Sequence, residues 1–237
     1  MACIICGGDT EIVQYKVDRC KVCNHTYIRY DGDGIHYHKS LYRGKGQEGR
    51  RDRNASQSEV EGDKFTEFFH QKRHNICERR IEFLEPILGE VNSLLDIGAG
   101  GGTFLNMIKD RVGLVEGTEV SDICNKNLTE AGYKVYHGAF TQMDIEKSYD
   151  LVTCWHVLEH IENLKDFPKR AYDCTNKYLV LEVPINRRLR NPDTEFDGHF
   201  HYFSEQSLAK LFEDYFDVDF IIPGVQQPCL LAQFTKK

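Results

Sequence analysis

The chain has 237 residues, 41% of them hydrophobic, with a formal charge of −7. That length supports one sizeable core plus a small appendage. The acidic balance leaves no basic footprint for nucleic acid, and no run of eighteen apolar residues suggests a membrane span. The first residues, Met-Ala-Cys-Ile-Ile-Cys, lack the basic and apolar regions of a secretory signal, so a cytoplasmic protein is expected. Nine cysteines are many for a reducing compartment and read as metal ligands plus buried thiols rather than disulfides.

Cys3-x-x-Cys6 and Cys20-x-x-Cys23 lie thirteen residues apart. Two such knuckles suit a tetrahedral Zn2+ site of zinc-ribbon type, with Ile12, Val13, Tyr15 and Val17 supplying strand character between them. Four thiolates fill the coordination sphere, so the role is structural, and the bound metal supplies folding free energy that about forty residues could not gather alone. His25 is the weaker substitute ligand. A redox Cys-x-x-Cys is disfavoured because two copies occur and neither opens a helix in a thioredoxin-like pattern. Residues 1–40 are therefore expected to form a ribbon module.

Residues 41–63 read as a linker or lid. The stretch from Arg43 to Arg53 is glycine-rich and charged, a solvated run or a phosphate contact, and His36, Tyr37, His38 and Tyr42 before it could lie over a cofactor. From Phe65 a helical apolar pattern runs to Leu84, with Pro86 as its expected break.

The segment 94–105 carries the most information. An apolar strand ends in Asp96-Ile97, a turn follows as Gly98-Ala99-Gly100-Gly101-Gly102, and Thr103, Phe104, Leu105 and Ile108 open an amphipathic helix. Such a turn lets backbone approach an adenosine-containing cofactor. A phosphate-cradling loop needs a lysine after its last glycine, and none is present. A dinucleotide loop needs a third glycine where Thr103 stands, and Asp96 would repel a pyrophosphate. Beside the sulfonium and ammonium groups of S-adenosylmethionine the same carboxylate is favourable. A second strand, 113–119, ends at Glu119, an acid placed to accept both ribose hydroxyls, followed by Val120. Glu116 faces the other way by alternation.

Further strands are expected at 133–137, 149–154, 177–183, 217–222 and 229–235, with helices at 103–111, 122–131 and 205–213. Ala139 and Phe140 form a plausible adenine-contacting turn. His156-Val157-Leu158-Glu159-His160 matches an inverted zinc-peptidase pattern, but its position after a strand of the cofactor fold is the wrong context for a peptidase. Trp155 and His156 are candidate cofactor neighbours. The alternation of strands and helices predicts an α/β, doubly wound, Rossmann-like seven-stranded sheet.

With these pieces in order, residues 94–102, 118–121, 149–161 and 177–186, the chain resembles the class I S-adenosylmethionine-dependent methyltransferases over roughly 75–237, the domain being drawn as 64–237. A ribbon before such a domain is similar to a group of sugar methyltransferases. The resemblance implies a small-molecule or carbohydrate acceptor, a nucleotide-linked sugar or a polysaccharide precursor, methylated on oxygen. Substrate-facing loops are commonly placed after the fifth strand, where Gly198-His199-Phe200-His201-Tyr202-Phe203-Ser204 lies. His201, His199 and then His160 are the candidate general bases, with Ser204 as a helix cap behind the loop. Rival readings are an RNA or protein methyltransferase that docks through the ribbon, and a cofactor-binding protein without turnover.

Overall fold

In the computed structural model, the residues described are 2–14, 16–29, 64–185, 198–226 and 228–237, the side chains of 64–70 excepted. The expected linker at 41–63, its basic cluster and the residues His36, Tyr37, His38 and Tyr42 lie outside them. By their contacts, the described residues of 34–151 form one compact unit and those of 1–33 with 152–237 form another.

Among the described residues of the 34–151 unit, the first element is helix α1 (Lys64–Leu88). It does not stop at Pro86 as the sequence suggests. A proline removes one amide and crowds the carbonyl four residues back. With only two residues to follow, that costs a single turn, which Ile87 and Leu88 close by accepting from Glu90 and Val91. Strand β4 (Ser93–Ile97) is almost wholly buried and leads into the glycine turn. Helix α2 (Thr103–Ile108) buries Phe104, Leu105 and Ile108, the face its spacing predicts, but is shorter than expected. Strand β5 (Leu114–Glu119) pairs with β4 in parallel, Asp96 beside Gly117 and Ile97 beside Thr118. Helix α3 (Asp122–Glu130) is capped by Ser121, whose hydroxyl accepts from the Cys124 amide at 3.4 Å. Strand β6 (Lys134–His137) pairs in parallel with β5.

Glu116 shows why its alternation mattered. It is 2% exposed and turned away from the glycine turn's face. The Tyr149 and Tyr136 hydroxyls donate to it at 2.6 and 3.0 Å, and Lys147 lies at 2.8 Å. Burial alone would raise its pKa; these partners outweigh burial and hold it below the ordinary carboxylate value.

The other unit contains strands β1 (Thr10–Gln14), β2 (Val17–Cys20) and β3 (Thr26–Ile28). Strand β7 (Tyr149–Trp155) runs on into this part of the chain, followed by helix α4 (Phe167–Cys174) and strand β8 (Thr175–Pro184). Then come β9 (His201–Tyr202), helix α5 (Glu205–Phe212), β10 (Phe216–Pro223) and β11 (Cys229–Lys236). The strands make a seven-stranded sheet in the order β10-β11-β8-β7-β4-β5-β6 and a four-stranded sheet in the order β1-β2-β3-β9. The first matches the doubly wound sheet expected from the sequence. On its antiparallel edge, β11 against β8 and β10, Phe216 and Phe234 pack against Phe212 at the end of α5.

The second sheet was not foreseen. The expected ribbon does not close on itself: β3 pairs antiparallel with β9, Tyr27 opposite His201 and Thr26 opposite Tyr202. The Ile28 amide donates to Phe200 O at 2.9 Å, and the Ser204 hydroxyl donates to Cys23 O at 2.6 Å. Ser204 also caps α5 as expected, in a reciprocal box with Ser207. Among the described residues, no helix is long and apolar enough to cross a membrane.

Candidate functional site

Within the 34–151 unit, β4 and β5 deliver Asp96 and Glu119 to the same end of the sheet because the strands run parallel in register. The turn between β4 and α2 uses left-handed backbone at Gly98 (φ 73°), Gly100 (φ 56°) and Gly102 (φ 78°). Side chains rarely adopt that conformation. At Gly102 a Cβ would also fall 2.4 Å from Leu128, so glycine is required there for two reasons.

Glu119 is 6% exposed, and the turn is built around it. Its Oε2 accepts from the Gly100 amide and its Oε1 from the Ser121 amide, each at 2.7 Å. Each carboxylate oxygen has a further lone pair, so the acid both shapes the turn and retains capacity for a ligand hydroxyl. Asp96 is buried at 2% exposure. Gly98 and Ala99 donate to the Oγ1 and carbonyl of Thr118 at 3.2 and 2.9 Å, which fixes the turn against β5. Gly138 donates to Glu119 O at 2.9 Å, bringing the segment after β6 to the same carboxylate's backbone. Val120 and Ala139 are exposed there, while Phe140 is buried. The unit thus brings Asp96, Gly98, Ala99, Gly100, Glu119, Val120, Ala139 and Phe140 to one end of the sheet.

Two clusters of polar residues lie in the other unit. The first follows β7. Trp155 is 7% exposed, and His156 adopts φ 58°, a left-handed conformation costly for a residue with a Cβ. The strain aims its ring between two buried acids: Nδ1 lies 3.3 Å from Glu159 Oε1 and Nε2 lies 3.6 Å from Glu182 Oε2. Burial would lower the pKa of His156, but Cys229, Glu159 and Glu182 outweigh it and raise it to about 11. The imidazolium is thereby held charged. Glu159 is fully buried, and its Oε2 has no hydrogen-bond partner. His160 donates from Nδ1 to Gly198 O at 2.8 Å, leaving its Nε2 lone pair 3.9 Å from Glu159 Oε1. His199 is half-buried, its ring centroid 4.7 Å from that of His160.

His201 has a different environment. It is 2% exposed, and both ring nitrogens are engaged inside the unit. Nε2 donates to Glu162 O at 3.1 Å, so Nδ1 accepts from His25 Nε2 at 3.2 Å. Burial lowers the His201 pKa to about 4, against the smaller opposing pull of the Glu162 carbonyl. Its ring stacks on that of His25 and packs near Phe203. The structure therefore separates the three candidate bases: His160 and His199 stand together beside Glu159, and His201 is sealed behind β3.

The second cluster is Cys3, Cys6, Cys20 and Cys23, whose Sγ atoms all lie within 4.8 Å of one another. The Cys3–Cys23 and Cys6–Cys20 separations are 3.7 and 3.4 Å. Zn–S bonds of about 2.3 Å in a tetrahedron place sulfurs about 3.8 Å apart, and a disulfide would need about 2.05 Å. The amides of Val22 and Cys23 each point at Cys20 Sγ at 3.4 Å. Burial works against a Cys20 thiolate, yet these amides and Cys6 lower its pKa to about 7. His25 faces His201 and lies outside the four-sulfur group.

Known proteins bear on this arrangement. A ubiquinone biosynthesis O-methyltransferase from Shewanella halifaxensis is 30% identical over 128 residues, 49% of this chain and 54% of that protein. One from Nitrosomonas europaea is 29% identical over 98 residues, 37% of this chain and 42% of that protein. The chain thus spans about half the length of the curated relatives it matches. Among solved structures, magnesium protoporphyrin IX methyltransferase (ChlM) from Synechocystis PCC 6803 with bound SAH superposes with a TM-score of 0.61 at 15% identity, over 86% of this chain and 99% of that one. That likeness is one of fold. Residues 68–215, well over half of the chain, match the family described as a methyltransferase domain, and the chain belongs to that family.

Proposed function

We propose that the chain is an S-adenosylmethionine-dependent methyltransferase that acts on a hydroxyl oxygen of a small molecule. The observation that carries this reading is the turn at 98–102, closed on Glu119 at the end of β5. Bound S-adenosylmethionine would supply an electrophilic methyl group on its sulfonium. Glu119 would accept the ribose hydroxyls, Asp96 would compensate the cationic end, and Val120, Ala139 and Phe140 would lie along the adenine. Gly98, Ala99 and Gly100 would let backbone approach. Trp155 is buried and the His156 ring is held by carboxylates, so neither side chain is given a cofactor contact in this reading.

Oxygen as the acceptor atom is supported by the relatives, which are named as O-methyltransferases of ubiquinone biosynthesis. A carbohydrate acceptor finds no support among them, and a hydroxylated ubiquinone precursor is the better-supported class. A hydroxyl must lose its proton as the methyl is transferred. In this reading the group formed by Glu159, His160 and His199 handles that proton, and His201 holds the loop in place. We also assign the four cysteines to one structural Zn2+, on the sulfur separations and the amides that support Cys20.

Incubation with methyl-labelled S-adenosylmethionine and a panel of polyhydroxylated aromatics and nucleotide sugars tests the reading. S-adenosylhomocysteine should accumulate with an aromatic hydroxyl acceptor, and His199→Ala should lower kcat by about 10²–10⁴ at unchanged cofactor affinity. Cofactor binding with no product on any acceptor would instead mark a non-catalytic binding protein.

A further inference from the structure

We propose that Glu159, His160 and His199 form a second metal site, one that holds a divalent cation with open positions for acceptor oxygens. Each residue offers one ligand atom, and the three atoms lie within 4.8 Å of one another. Two imidazoles and a carboxylate suit Mn2+, Fe2+, Co2+ or Zn2+ and leave coordination positions vacant for water or substrate.

Three features on the same residues point to an ion rather than to a merely polar surface. Glu159 Oε2 is completely buried without a hydrogen-bond partner, an expensive state for a carboxylate oxygen unless a cation satisfies it. The tautomer of His160 is already set: its Nδ1 proton goes to the Gly198 carbonyl, so Nε2 presents a lone pair toward Glu159. A ligating histidine is ordinarily oriented in this way by a second-shell acceptor. Finally, Glu159 is itself braced through Oε1 by His156, whose strained backbone directs its ring there.

The neighbouring group of His156, Glu182 and Cys229 has three possible ligands as well. It is the poorer site because both His156 nitrogens already face carboxylates. Binding at the first group would draw its three ligand atoms in to the roughly 3 Å separations that bond lengths near 2.1 Å impose. His199 and His160 are both partly exposed, so this needs side-chain rotation and no unfolding.

The role of the cation at the acceptor, to acidify a coordinated hydroxyl so that its proton leaves to water rather than to the ligated His160 or His199, rests on the methyltransferase reading, while its binding does not. A titration of the zinc-loaded full chain with Mn2+, followed by the electron paramagnetic resonance signal of free Mn2+, tests the site directly. Mn2+ is a poor competitor for four thiolates, so the ribbon does not contribute. Wild type should take up one Mn2+ per chain, and His199→Ala and His160→Ala should each weaken uptake by at least about tenfold. Glu159→Gln should do the same; the two histidine variants carry the test if that buried substitution fails to fold. No uptake by folded wild type at millimolar Mn2+, or equal uptake by wild type and His199→Ala, would overturn the site. S-adenosylmethionine binding measured on the same samples separates the two ideas: cofactor binding without Mn2+ uptake removes only the cation, and Mn2+ uptake without cofactor binding removes only the methyltransferase reading.

Discussion

Cys20→Ser should loosen two stretches of chain far apart in sequence, the ribbon and the segment around β9. Cys20 is fully buried among the four sulfurs, and its Sγ collects the Val22 and Cys23 amides. Removing it should release the proposed Zn2+, whose binding free energy would otherwise hold the second knuckle folded. That knuckle is tied to 200–204 by the Ser204 hydroxyl on Cys23 O, the Ile28 amide on Phe200 O and the His25–His201 pair. Three hydrogen bonds at about 0.5–1.5 kcal/mol each amount to about 1.5–4.5 kcal/mol of local stability. Amide exchange governed by local opening should therefore accelerate roughly 10- to 1,000-fold in peptides covering 24–29 and 198–206. Peptides from β4 and β5 are the internal control and should not change. Hydrogen-exchange mass spectrometry reads all of these in one experiment. Loss of zinc with unaltered exchange at 198–206 would refute the coupling, and full zinc retention in the variant would refute the metal assignment.

Glu119→Ala should weaken S-adenosylmethionine binding by about 1.5–3 kcal/mol, or roughly 10- to 150-fold in Kd, by calorimetric titration. Because it also strips the Gly100 and Ser121 amides of their acceptor, it should lower Tm as well; an unchanged Kd would exclude Glu119 as the ribose ligand. Glu116→Gln should destabilise the chain at neutral pH by about 1–3 kcal/mol in urea unfolding. Since the folded-state pKa of Glu116 lies below its unfolded value, its stabilisation is complete above about pH 4.5 and is lost as pH falls through the folded pKa. The gap between wild type and variant should close on acidification, and a gap that is constant with pH would contradict the network. His201→Asn should lower Tm by several degrees, because it strands His25 and the Glu162 carbonyl. It should leave kcat within about threefold at temperatures where the variant is folded, whereas a loss of 10² or more would return His201 to the role of base.

Local signals proved easiest to read from the sequence. The glycine turn, Asp96, Glu119 and the four cysteines are each encoded within a few residues, and the parallel register of β4 and β5 is enough to bring the first group together. Contacts of long sequence separation were not legible. Nothing in 198–204 announces a strand, because its pairing partner Thr26–Ile28 lies about 175 residues away, and a loop exposing two histidines is the natural reading of that stretch. His201 is buried by that pairing, and His199, two residues earlier, is left beside His160. The left-handed backbone of His156 has no sequence signature, since glycine or asparagine would be expected there. Its ring and Glu159 were legible as part of a zinc-peptidase pattern, and His156 also as a candidate cofactor neighbour. That spacing assumes a regular helix, whereas Leu158–His160 forms a short 3-10 turn.

The central claim is that the turn at 98–102 and Glu119 bind S-adenosylmethionine. Calorimetric titration of the purified full chain with this cofactor tests it most directly. The account predicts saturable binding of one S-adenosylmethionine per chain, displaced by S-adenosylhomocysteine and unaffected by equal concentrations of NAD. Absence of saturable binding by the folded chain, or preference for the dinucleotide, would contradict it.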